Sequence, residues 1–121
     1  MLIVFLALQA TISFPEEIRE KMVPLYEATM QSNDAWTACL FDMAATYNKQ
    51  DIPVAQAVDT AFGACKGQEL VHSGRTRRML QELGDDGSRA RRVMNEAKAT
   101  VRELLLSELT NSRLIRGRKV D

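Results

Sequence analysis

Only two cysteines, three prolines, six glycines and one histidine occur among 121 residues, and aromatic side chains make up 6%. Each scarcity excludes something. Zinc takes four ligands, commonly Cys and His in tight spacings, and two cysteines 26 positions apart with a lone histidine do not supply them. The methionines at 22, 30, 43, 79 and 94 are scattered at helical spacing rather than clustered as a copper site needs, and read as core filling. No phosphate-binding Gly-rich loop, dinucleotide turn, nucleophile elbow, His-Glu-x-x-His or Cys-x-x-Cys pattern is present, so neither an enzyme nor a cofactor is expected.

What remains is rich in Ala, Leu, Glu, Gln, Arg and Met, residues that lose little on entering a helix. With 26% charged and 45% hydrophobic residues, the chain is neither disordered nor fibrous in composition. Its length suits one domain able to bury roughly two-thirds of its unfolded surface. The expected fold class is all-α: a small antiparallel bundle of three or four helices.

The start, "MLIVFLALQATISFP", sets an apolar run from Leu2 to Leu8 before small and polar residues, with no charge until Glu16. That is the layout of a signal peptide over residues 1–13, cleaved after Ala10 or Ser13. No Lys or Arg precedes the run and no clean Ala-x-Ala follows it, so a buried N-terminal helix of a cytosolic protein stays open as the alternative. The run is well short of the roughly 20 residues of a transmembrane helix, and no cysteine follows it to carry a lipid. Ser13, Pro15 and Glu16 then make a capping-box pattern, placing the helical domain at residues 14–112.

Leu25, Thr29, Ser32, Trp36, Cys39, Leu40, Met43 and Tyr47 fall at steps of three and four, one face of a helix in which Pro24 is either a first-turn residue or a kink. After "NKQDIP", where Asp51 can cap, the residues Val54, Ala57, Val58, Ala61, Phe62 and Cys65 repeat the spacing. Ile52 stands thirteen residues from each cysteine, so a hairpin turning there brings Cys39 and Cys65 level on facing stripes. That register predicts a Cys39–Cys65 disulfide, with Trp36 beside it and His72 opposite Ser32. Buried free thiols are the alternative. Reactive thiolates are disfavoured because no base or helix N-terminus is near either cysteine. His72 reads as a hydrogen-bonded structural imidazole, since no nucleophile or orienting acid accompanies it by pattern. This Trp-x-x-Cys … Cys hairpin behind an apolar leader, residues 36 to 65, is similar to that of short exported bacterial proteins. The likeness carries no activity and no site residues.

Beyond Cys65 the pattern stays helical, with expected interruptions at Gly67 and Gly74 and a turn at "LGDDGS". A long helix follows, with Val93, Ala97, Val101, Leu104, Leu105 and Leu109 on one face, and residues 113–121 form a basic, flexible tail. The formal charge of zero conceals a split, since residues 16–65 hold eight acidic and three basic side chains, and residues 66–121 eight and thirteen. Self-neutralisation of the halves within the fold is the expected meaning of this split. Arg75, Arg77, Arg78, Arg89, Arg91 and Arg92 flank the turn and are the candidate contacts to an anion, on a membrane surface or a polyanion. Interleaved acids and the lack of stacking aromatics argue against nucleic acid. The leading expectation is an exported, bacterial periplasmic protein that acts by contact with a protein partner. Anionic-surface binding through the basic half comes second, and oligomeric state is open.

Overall fold

A computed structural model describes residues 16–120, with side chains through residue 117. The leader expected at 1–13 and the Ser13 and Pro15 cap lie outside the described residues. Four helices follow in order: α1 (Glu16–Asn48), α2 (Val54–Ala64), α3 (Lys66–Glu82) and α4 (Ser88–Val120), with no strand among the described residues. The all-α bundle on a disulfide-stapled hairpin is what forms.

Helix α1 opens with Glu16 and Glu17, whose carboxylates suit the positive end of the helix dipole. It continues through Pro24 rather than starting there. Proline removes the N–H that would have bonded the Glu20 carbonyl, but Glu20 is exposed and water can take that place. The buried residues of α1 are Thr29, Ser32, Asn33, Trp36, Leu40, Ala44 and Asn48, a stripe rotated slightly from the expected one, so that Cys39, Met43 and Tyr47 are half-buried at its flank. After the turn, Pro53 occupies the cap position of α2 and no side chain caps it, so Asp51 does not play the expected part.

Helices α2 and α3 form one rod jointed at Cys65. The backbone ladder passes over the joint, with the Cys65 N–H donating to the Ala61 carbonyl and the Cys65 carbonyl accepting from the Glu69 N–H. Cys65 thus sits at a helix junction rather than inside a helix. Gly67 and Gly74, expected as breaks, lie within α3. The rod ends at Gly84, whose φ of 91° lets the Gly84 and Asp85 N–H groups reach back to the Gln81 and Leu80 carbonyls. Asp85 and Asp86 then accept from the Gly87 and Ser88 N–H groups, turning the chain into α4 as "LGDDGS" predicts.

Helix α4 returns antiparallel to the rod. Its buried face is Ala90, Met94, Val101, Leu105 and Leu109, while Val93 and Leu104, expected inside, are exposed. The buried positions step by four and seven, so the contact face drifts along α4, which meets α3 at Lys98–Glu69, α2 at Arg102–Asp59 and the end of α1 at Arg113–Asn48. It also continues through the residues expected as a flexible tail, where Arg113 donates to Asn48 Oδ1 at 2.6 Å and Arg116 to the Asn48 carbonyl at 3.2 Å.

The interior has two characters. At the level of α2 it is apolar, with Trp36, Leu40, Ala44, Val58, Ala61, Val101 and Leu105. At the level of α3 it is polar, with Thr29, Ser32, Asn33, Glu69, His72 and Thr76. The disulfide marks the boundary.

Candidate functional site

Cys39 and Cys65 are joined, with Cα atoms 6.0 Å apart. Trp36, one turn earlier, is fully enclosed between Phe62, edge-on at 6.3 Å, and His72, stacked at 5.8 Å. The Ser32 hydroxyl donates to the Thr29 carbonyl and its oxygen lies 2.8 Å from His72 Nδ1, so the imidazole is assigned a proton on Nδ1 that it donates to Ser32. Burial pushes the His72 pKa below its ordinary value. The Thr29 carbonyl pulls the other way, and the positive charge of Arg75 adds to the lowering. A serine touching a histidine invites comparison with a nucleophile and its base, but the chemistry is reversed: the imidazole donates, and both residues are sealed inside.

Just past the joint, Glu69 is 5% exposed and binds two ammonium groups, Lys66 at 2.7 Å and Lys98 of α4 at 3.1 Å. Burial alone would raise its pKa. The hydrogen bonds from Lys66 and Lys98 outweigh burial and hold the carboxyl below its ordinary range. Lys66 is visible in sequence as an i,i+3 neighbour of Glu69; Lys98 is 29 residues further on and no local signal points to it.

The six candidate arginines separate. Arg75 leaves the cluster and donates to the Ala28 carbonyl of α1 at 3.0 Å. Arg77 from α3 and Arg91 from α4 line one small cleft of about 130 Å³, with Ser73, Asn95, Lys98 and Glu69 on its walls. Arg91 and Arg92 border a shallower groove with Glu96. Arg78 and Arg89 are exposed. A third depression, between α2 and α4, is crossed by the Arg102–Asp59 pair.

No known protein family, curated protein or solved structure matches this chain. Among the described residues there is no group of three potential metal-ligating side chains, and no helix is long and apolar enough to cross a membrane. Arg102–Asp59 is the one ion pair among the described residues that joins the acidic and basic halves, so direct pairing contributes a single contact to the expected mutual neutralisation.

Proposed function

We propose that the chain is an exported protein of the bacterial periplasm that works through contact with a protein partner rather than by catalysis. The observation that carries this reading lies along the α2–α3 rod, on a face that borders the depression toward α4 at Gly63. Gly63, Gly67 and Gly74 follow at steps of four and seven, so they share one face, opposite His72. An added Cβ at any of them would meet nothing within 4 Å, so the fold itself has no packing need for glycine there. Glycine within a helix costs about 0.5–1 kcal/mol relative to alanine. Three uncompensated costs on one face are accounted for if another backbone approaches closely. Leu70, 62% exposed, and Val71, 51% exposed, lie on the same face and offer the apolar contact. The helix-to-helix disulfide supports export, because such bonds persist in oxidising compartments.

Two measurements test the reading. Intact mass of the protein from its own host, before and after reduction with thiol trapping, is expected to show loss of the leader and one disulfide. Light scattering with chemical cross-linking is expected to find a complex that Gly67→Ala and Leu70→Glu both weaken, although Gly67→Ala should make the isolated fold about 0.5–1 kcal/mol more stable. A strict monomer that captures no partner overturns the contact role.

A further inference from the structure

The cleft between α3 and α4 has an electrostatic imbalance that the fold does not resolve. Glu69 is its one carboxylate and already holds two ammonium groups, Lys66 and Lys98. The guanidinium groups of Arg77 and Arg91, brought to the same cleft from different helices, have no ion pair or hydrogen bond among the described residues. Like charges gathered without a counter-charge repel, and a bound anion relieves that repulsion. The neutral groups on the walls agree in kind, since the Ser73 hydroxyl and the Asn95 amide can both donate. From these residues we infer that the cleft is a binding site for a single tetrahedral oxyanion, a phosphate or a terminal phosphate monoester.

Size and donor geometry select this class. About 130 Å³ is well below the roughly 300 Å³ at which pockets for drug-sized ligands begin, so a nucleoside does not fit inside. Two planar guanidinium forks approaching from two helices suit a ligand that has oxygens in several directions, which a phosphate has and a carboxylate lacks. Occupation would tie α3 to α4 beyond the joint at Cys65. The inference does not depend on the protein-contact role, because the cleft uses Glu69, Ser73 and Arg77, whereas that role uses the adjoining face of Gly67, Leu70, Val71 and Gly74.

The test uses the oxidised protein and inorganic phosphate, titrated at constant ionic strength against chloride and followed by NMR of the arginine Nε–Hε signals. Saturable shifts of Arg77 and Arg91 are expected. Arg77→Gln or Arg91→Gln should weaken the affinity by about tenfold or more, one charge-assisted hydrogen bond each, while Arg78→Gln and Arg89→Gln change it by less than about twofold. All four side chains are exposed, so unchanged thermal unfolding should accompany the loss. Flotation with phosphatidic acid vesicles, compared with phosphatidylglycerol vesicles, separates the sources. Arg77-dependent retention on phosphatidic acid assigns a lipid monoester headgroup, and phosphate binding without retention assigns a free ion. Absence of a saturable shift, or equal losses in all four variants, overturns the site.

Discussion

His72 is a neutral imidazole held by Ser32 and covered by Trp36, and its environment makes the fold sensitive to pH. Its folded pKa lies below the ordinary 6.5, so the unfolded chain binds the proton more tightly. Stability is therefore complete above about pH 6.5 and declines as pH falls below it, down to the pH at which the folded imidazole itself protonates. Urea midpoints are expected to stay level between about pH 8 and 7 and to drop as pH falls below about 6.5. His72→Gln should remove that slope, at a cost of about 1–3 kcal/mol in stability at pH 8. Glu69 acts in a separate window, because Lys66 and Lys98 hold its folded pKa below the ordinary 4.5, and its contribution is lost only as pH falls beneath that value. At this scale the sequence was informative where residues share a hairpin. The level of Ser32 with His72 follows from counting outward from Ile52, just as the cysteine pairing does.

Between elements, the bundle depends on two fastenings at different heights. The disulfide closes a separation of 26 residues, and Cys39→Ser with Cys65→Ser should lower stability by about 3–4 kcal/mol by the chain-entropy argument. Chemical denaturation of the oxidised protein against the double variant measures it. The second fastening is Asn48, whose amide donates to the Leu109 carbonyl while its side-chain and backbone oxygens accept from Arg113 and Arg116. Asn48→Ala leaves Arg113 without that partner and is expected to cost about 1–2 kcal/mol, with faster amide exchange confined to the last turns of α4. Helix ends were legible where turn chemistry is local, as in "LGDDGS". Helix faces were less so. Val93 and Leu104 fit an ideal 3.6-residue stripe, yet the buried face of α4 begins at Ala90 and Met94 and drifts along steps of four and seven.

Across the whole molecule, protection is graded. The core level of Trp36, Leu40, Val58, Val101 and Leu105 is enclosed on all sides, whereas residues 16–28 of α1 have no fully buried member. Native-state hydrogen exchange should be slowest at the first and fastest at the second; uniform protection along α1 would contradict this layering. Charge is graded too, because six exposed carboxylates of α1, at Glu16, Glu17, Glu20, Glu27, Asp34 and Asp42, have no ion-pair partner among the described residues. The molecule keeps an acidic helix and a basic α3–α4 side.

The sequence by itself determined the helical class, the hairpin, the disulfide and the Ser32–His72 contact, because each follows from helix periodicity about a single turn. Tertiary structure alone decided the cleft. Arg77, Arg91 and Lys98 line one cleft only because α4 packs back against α3, and that packing depends on side chains of distant segments, which no local spacing records. For the same reason the paired state of Glu69 and the capture of Arg113 and Arg116 by Asn48 belong to the folded molecule. The groups concerned lie 29 to 68 residues apart and are brought together only by the closing of the bundle.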